Sequence, residues 1–565
     1  MITDKTSCSI IAEVLGSHGV SKAVVSPGSR CAPISLALDD AEGIGLTVVA
    51  DERSAAFIAL GMAQVSRKPV ALVCTSGSAL LNYAPAVAEA FYQGIPLIVI
   101  SADRPEQWID QDDSQTIRQF EALDHFVKRS YDIPDTIMPD NEHLWYANRI
   151  ANDACLTALS GRQGPVHINV QLHAPLTRPG SRVEKQRIVE DIDPDRRLTR
   201  EDAFDLARQA ADAKILVVAG FMPPDSRINR AVAEFSRLPN VYILHETLSN
   251  LHFSGGHSAL DTVIGSLSEN EAVEMTPDLV ITIGGALVSR FVKQFIREHN
   301  PKLGHWAISD AHGVTDCFKC LTKRISVSPD SFFRRFGGAL RSIGVSTGYR
   351  EKWYMHADRV MRLHEAYLST IGWSDMKGMQ TIFGKISPDI NLQLSNGTPV
   401  RYAQLLQRQA PHAEFCNRGV SGIDGCTSTA VGASMEYGRI TLFISGDLSF
   451  SYDLSALACR DIPDSLRIIV FNNSGGGIFR FVATTDTLPK DKRESLFCAP
   501  PGLNIESVAR SFGFNYLRAD NESLLETALS ELLDPAQGKT ILEVKTDPEI
   551  SAKTLKDYFI SIKKP

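Results

Sequence analysis

Two polar residues stand where apolar runs end in the C-terminal part of the chain. Asp447 closes ITLFISG, and Asn473 closes LRIIVFN about one βαβ unit later. Ser474, Gly475, Gly476 and Gly477 follow. A carboxylate and an amide at the carboxyl ends of two parallel strands, beside a glycine loop, suit a hard cation carrying a diphosphate. Mg2+ usually takes one or two protein oxygens and completes its octahedron with phosphate and water oxygens. Asp447 and Asn473 can supply side-chain oxygens, and the Gly475 carbonyl a third. Read structurally, Asp447 caps a helix from Leu448 and NNSGGG is a turn. Either half alone favours that reading; the pairing favours the metal and phosphate site.

Asp51 and Glu52 form a second candidate. LTVVADERSAAFIALG reads as a strand running directly into a helix. Asp51 is a natural cap, and Glu52 in the first turn complements the helix dipole. Taken alone, that pair needs no catalytic role.

The elements that must position these residues alternate between short apolar strands and helical patterns. This predicts an α/β chain with parallel sheets. KAVVSP, LTVVAD, PVALVCTSG, PLIVISADRP and GPVHINV supply strands over 1–180. A charged linker follows to about 200. KILVVAG, VYILHE, LVITIGG and KRISVS supply a central block over 200–340. After a helical connector, AEFCNRG, ITLFISGD, LRIIVFNN, FNYLRA and TILEVKT supply a third block over 375–565. The expected fold is three doubly wound parallel-sheet domains.

With 565 residues, 44% hydrophobic and 22% charged, the chain is an ordinary globular protein with several cores. Its net charge of −8 argues against nucleic acid or an acidic membrane as main partner. No run suits a membrane span or a targeting segment, so a cytoplasmic location is expected. The ten scattered cysteines fit a reduced compartment. Cys317 and Cys320 form a lone CxxC downstream of His305 and His312, weak as a zinc signal. No GxSxG, HExxH or Walker motif competes. IGGAL and VVAGFMP lack full dinucleotide-binding spacing, so the central block reads as a non-binding or regulatory scaffold.

Together, GDL…NN and Glu52 make the chain resemble the thiamine diphosphate (ThDP) enzymes of the three-domain decarboxylase and carboligase superfamily. The resemblance implies that Asp447, Asn473 and Gly475 hold Mg2+ (or Mn2+) and diphosphate. It implies that Glu52 meets the cofactor's aminopyrimidine ring and favours the tautomer that takes the thiazolium C2 proton. The usual third glycine of GDG is Leu448 here, which points to a branch. VSPGSRCAP (25–33), SADRP (101–105), SQTIRQ (114–119), CNRGVSGIDG (416–425) and GDLSFSYDL are similar to the 2-succinyl-5-enolpyruvyl-6-hydroxy-3-cyclohexene-1-carboxylate (SEPHCHC) synthases of menaquinone biosynthesis. That branch implies a transferase acting on 2-oxoglutarate and isochorismate. The donor loses CO2, and the resulting succinyl carbanion undergoes 1,4-addition to the acceptor.

By the same resemblance, Ile423 props the bent cofactor, and Ile478 and Phe479 line the substrate cavity. Both substrates are dianions, and a negative protein must meet them with local cations; Arg matches carboxylates bidentately. The implied substrate contacts are Arg30, Arg104, Gln115, Arg401 and Arg418. Arg290 and Lys293, three apart in GGALVSRFVKQF, join them. Ser114 stands where the branch often has Asn, and Gly397 where its pattern before Arg401 has Ser. Arg30, Arg104 and Arg418 each follow a strand-like run in a Pro- or Gly-containing loop, where α/β enzymes place ligand contacts.

Two other readings stay open on the sequence alone. One is a different ThDP-dependent 2-oxo acid decarboxylase or carboligase, such as an acetolactate synthase-like enzyme. The other is a non-catalytic binder of ThDP or a metabolite. Leu448 and the many arginines argue against a small monoanionic donor. The superfamily also implies a homodimer or a dimer of dimers, with the active site at the subunit interface.

Overall fold

The computed structural model describes residues 2–136, 140–192, 196–309, 314–345, 347–406 and 413–563. Its strands form three wholly parallel sheets. The first contains β1 (Lys22–Val25), β2 (Gly45–Val48), β3 (Val70–Cys74), β4 (Leu97–Asp103), β5 (Ser130–Ile133) and β6 (Val166–Gln171), in the order β2-β1-β3-β4-β6-β5. The second contains β7 (Ile215–Ala219), β8 (Val241–His245), β9 (Leu279–Ile283), β10 (His305–Ile308) and β11 (Leu321–Ile325), in the order β11-β10-β9-β7-β8. The third contains β12 (Asn391–Leu394), β13 (Ala413–Cys416), β14 (Thr441–Gly446), β15 (Leu466–Asn472), β16 (Asn515–Ala519) and β17 (Thr540–Lys545), in the order β13-β12-β14-β15-β17-β16. Central strands such as β3, β4 and β7 are buried throughout. Helices cover both sheet faces, so these strands are continuous apolar runs rather than alternating ones.

Three strands do not stand out as apolar runs: β5, β10 and β12. Each is four residues long and carries polar side chains. In β12 the polar residues are buried and satisfy one another, Gln393 Nε2 donating to Asn391 Oδ1 at 2.9 Å. In β10, His305 Nε2 lies 2.7 Å from Thr282 Oγ1. Paired polar groups of this kind are tolerated inside a sheet but do not register as hydrophobic pattern.

The first and third sheets share a core through two helices. Helix Glu52–Ser66 is buried continuously from Ser54 to Gln64 because it is covered by helix Cys426–Tyr437. The two backbones cross at glycines. A Cβ on Gly61 would lie 2.0 Å from the Thr429 carbonyl, and one on Gly432 2.0 Å from that of Ile58. No side chain fits there, which explains the small-residue composition of both helices. The central domain is tied to the third sheet by bonds to its main chain. Asn250 Nδ2 donates to the Glu414 carbonyl at 3.0 Å, and Glu414 N–H donates to Asn250 Oδ1 at 2.8 Å.

Candidate active site

β14 and β15 pair in parallel up to Gly446 and Phe471, so Asp447 and Asn473 leave the same sheet edge side by side. Asp447 opens the short helix Asp447–Tyr452, with Gly446 at the cap position and no side-chain capping bond. Its carboxylate works within the site instead. Oδ1 accepts from Leu448 N–H at 2.7 Å and Oδ2 from Gly475 N–H at 2.8 Å. Leu448 thus keeps its backbone donor in the site, and the missing glycine of GDG removes no hydrogen bond. Burial pushes the Asp447 carboxyl up to about 6, the two N–H donors notwithstanding, and Asp375 adds to the shift.

Asn473 is buried, and its Nδ2 donates to Asp375 Oδ2 at 2.7 Å. Asp375 is itself held by the Thr546 hydroxyl at 2.5 Å, and its N–H donates to Ser551 Oγ at 3.0 Å. Spending the amide nitrogen on Asp375 leaves the Asn473 carbonyl oxygen for a cation. Gly475 has φ +106°, and a Cβ there would lie 2.3 Å from the Cys498 carbonyl. Arg480 is buried beneath the loop. It donates to the carbonyls of Asn473 at 3.3 Å and Ser474 at 3.0 Å, and pairs with Glu494 through two nitrogens at 3.1 and 2.7 Å. Among the described residues no group of three His, Cys, Asp or Glu forms a metal cluster. One carboxylate whose charge burial disfavours, one free amide oxygen and a glycine main chain instead fit Mg2+ completed by phosphate oxygens.

The candidate wedge lies beside this end. The Ile423 carbonyl accepts from Ser449 Oγ at 3.3 Å, in the helix that Asp447 opens. Asn396 Nδ2 donates to the carbonyls of Asn417 and Gly422, both at 2.6 Å, and so holds the loop from within. Ile478 and Phe479 lie half-buried in the 3-10 turn Gly477–Arg480, at the end of the glycine loop. They do not begin a buried helical face; the deeply buried member of that turn is Arg480.

Asp51 caps its helix as its position predicts, accepting from Ser54 N–H at 3.2 Å. Glu52 is half-buried and makes no hydrogen bond or ion pair among the described residues. Its charge is felt by Cys74 and Tyr83, both buried in the same domain and both held well above their ordinary pKa, chiefly by burial. The neighbouring Arg53 turns to the third sheet's domain, donating to the Tyr452 carbonyl at 3.1 Å.

The cationic candidates gather in two groups. Arg30 donates to the Leu172 carbonyl at 2.7 Å. Arg104 donates from Nε and Nη2 to the Ser114 carbonyl at 2.9 and 2.7 Å and pairs with Asp113 at 2.9 Å. Burial, then Arg104, lowers the Arg30 pKa. The contact to residue 114 is made by its main chain, so Ser in place of Asn leaves it intact. Gln115 next to it is exposed, with φ +57°. The second group lies where the central and third sheets meet. The Arg401 guanidinium falls to about 10, first by burial and then through Arg418 and Arg290. Lys293 is also lowered, by burial, with Arg418 contributing. Arg290 thus lies within electrostatic reach of Arg401, and Lys293 of Arg418.

Similarity to known proteins agrees with this geometry. Residues 6–122 match the thiamine pyrophosphate enzyme N-terminal TPP binding domain, and residues 396–544 the corresponding C-terminal TPP binding domain. A SEPHCHC synthase of Porphyromonas gingivalis is 38% identical over 99% of this chain and 98% of its own. Synthases of the same name from Flavobacterium johnsoniae and Bacteroides thetaiotaomicron are 36% and 32% identical, covering 97% and 100% of both chains. The chain belongs to the SEPHCHC synthase family. A benzoylformate decarboxylase from Polynucleobacter necessarius shares the fold, with a TM-score of 0.71 at 19% identity over 97% of this chain and 99% of its own.

The most informative residues that the pattern alone does not reveal are buried polar groups. Asp375 lies far from the GDL…NN run in sequence and precedes no motif. Glu246 accepts from Val288 and Ser289 N–H at 3.0 and 2.7 Å, and so fixes the start of helix Arg290–His299. Gln119 accepts from Gly77 N–H at 2.6 Å and steadies the loop that carries Gln115. The weak CxxC signal gains no support. Cys317 is exposed, His305 is occupied by Thr282, and His312 lies outside the described residues.

Proposed function

We propose that this chain is the ThDP- and Mg2+-dependent transferase that joins 2-oxoglutarate to isochorismate, with loss of CO2, in menaquinone biosynthesis. When bound, ThDP supplies the electron sink that lets a 2-oxo acid lose CO2 and form a new carbon–carbon bond. The chain supplies binding, orientation and charge. Asp447, Asn473 and the Gly475 carbonyl would hold the metal and, through it, the diphosphate. Glu52 would hold a proton against the aminopyrimidine ring, and Ile423 would support the cofactor's bend. Ile478 and Phe479 would wall the cavity and limit water. Arg401, Arg418, Arg290 and Lys293 would take carboxylates of one dianion, and Arg30, Arg104 and Gln115 those of the other.

The observation that carries the substrate assignment is the cluster around Arg401. Burial, then Arg418 and Arg290, press the Arg401 charge down, and burial, with a smaller push from Arg418, does the same to Lys293. A dicarboxylate therefore relieves the cluster more than a monoacid does. Competition between 2-oxoglutarate and pyruvate tests this. A strong preference for 2-oxoglutarate is expected, and it should be lost in Arg418→Ala. A preference for pyruvate would sink the assignment. Glu52→Gln should abolish turnover, and undiminished product formation would reject its role.

The superfamily resemblance supports a site completed by a second chain, with Glu52 of one chain facing the metal end of its partner. The proposed assembly is a homodimer or a dimer of dimers in the cytoplasm. Activity that persists at dilutions where only monomer sediments would overturn it. Among the described residues no helix is long and apolar enough to cross a membrane.

A further inference from the structure

Glu89 lies in helix Ala84–Gln93 of the N-terminal domain and is 1% exposed, yet no Lys or Arg pairs with it among the described residues. Its carboxylate reaches into the third domain. Oε1 accepts from Gly419 N–H at 2.6 Å and Oε2 from Val420 N–H at 2.7 Å. Gln93 Nε2 also donates to Oε1, at 2.5 Å. Successive N–H groups that converge on one anion form a nest. The chain is bent to make it, with Ser421 at φ +66°. The approach is close enough to exclude a side chain at Gly419, where a Cβ would lie 2.6 Å from the Glu89 carbonyl and 3.0 Å from Oε1.

The clamped segment runs from Arg418 to Ile423. Asn396 holds it from the inside, accepting from Arg418 Nη1 at 2.9 Å and donating to the Gly422 carbonyl. Glu89 holds it from the outside. We propose that Glu89 is a positioning residue that sets the loop bearing Arg418, and through it the selectivity for a dicarboxylate donor. A carboxylate is required. An amide would offer one acceptor and turn an NH2 group towards a backbone N–H, leaving a buried donor unpaired. The inference rests on the substrate role proposed for Arg418.

The test uses the full-length protein and the variants Glu89→Gln, Arg418→Ala and their combination. Without cofactor, amide hydrogen exchange over residues 417–424 should speed up about tenfold or more in Glu89→Gln, while β14 and β15 stay protected. Unchanged exchange there overturns the clamp. In turnover, Glu89→Gln should raise KM for 2-oxoglutarate about 10- to 100-fold, with a much smaller change in kcat and little change for pyruvate. In the Arg418→Ala background the same substitution should add less than about twofold. An equal penalty in both backgrounds makes Glu89 merely structural and overturns the proposal. If Arg418→Ala alone leaves the 2-oxoglutarate KM unchanged, the substrate reading of Arg418 fails, and the exchange result judges the clamp separately. Should Glu89→Gln not fold, Glu89→Asp, which keeps the charge but withdraws it by one methylene, takes its place with the same expected directions.

Discussion

Asp375 Oδ2 accepts from Asn473 Nδ2 at 2.7 Å, and this bond orients the amide at the proposed metal end of the site. A carboxylate can only accept here, so the amide nitrogen must face it and the oxygen must face outward. Removing that constraint should weaken the metal without unfolding the domain. Asp375→Asn is expected to lower Mg2+ affinity about 10- to 100-fold, as changes behind a ligand usually do. Titrating Mg2+ against cofactor-induced fluorescence or circular dichroism checks this. An unchanged Mg2+ midpoint would remove Asp375 from the account.

Arg480 acts on the same loop from below. Its guanidinium ties the Asn473 and Ser474 carbonyls to Glu494. Lysine has no planar fork with which to reproduce this. Arg480→Lys should weaken ThDP binding about tenfold while the melting temperature falls only slightly. Calorimetry of ThDP binding in excess Mg2+ separates the two effects; wild-type affinity would count against the role.

Glu246 gives a pH prediction. Burial pushes its carboxyl from 4.5 up to about 7, against its two backbone donors, with Asp261 adding and Arg418 opposing. The folded state therefore binds this proton more tightly than the unfolded state does. Its contribution to stability is fully present below about 4.5 and is lost as pH rises to about 7. Glu246→Gln carries no such proton. Its denaturation midpoint should gain on wild type between about pH 5 and about pH 8. Parallel pH dependences in the two proteins would show that Glu246 is not so perturbed.

The crossing of Gly61 over Thr429 predicts a packing failure. Gly61→Ala has no room for its methyl group and should destabilise the protein by about 3 kcal/mol. Gly338 is the contrast. It lies inside helix Pro329–Ile343, and beyond its own helical turn no atom stands within 4 Å of the place a methyl group would take. Gly338→Ala should stabilise by about 0.5–1 kcal/mol. Urea unfolding of both variants measures the difference; equal effects would contradict the crossing geometry.

Residue order alone determined the α/β class, most of the strands and the family, and it singled out GDL…NN and Glu52 as candidates. These depend on local pattern: apolar runs of strand length, and polar residues stationed where such runs stop. Asp51 as a helix cap was legible for the same reason, since a cap bonds within its own turn. The short strands β5, β10 and β12 were not, because polar side chains such as Asp132, His305 and Gln393 break the apolar run, each bonded to a partner that the pattern does not name.

Only the tertiary structure decided how distant residues meet. Arg290 and Lys293, which the resemblance named as substrate contacts, come within electrostatic reach of Arg401 and Arg418 only once the domains pack together. Asp375 and Asn473 are 98 residues apart in sequence, and Glu89 and Gly419 are 330 apart. A buried acid that accepts backbone N–H groups needs no motif of its own; its partners are main-chain atoms, the same in every residue type but proline. Its role exists only once the fold brings those atoms to it.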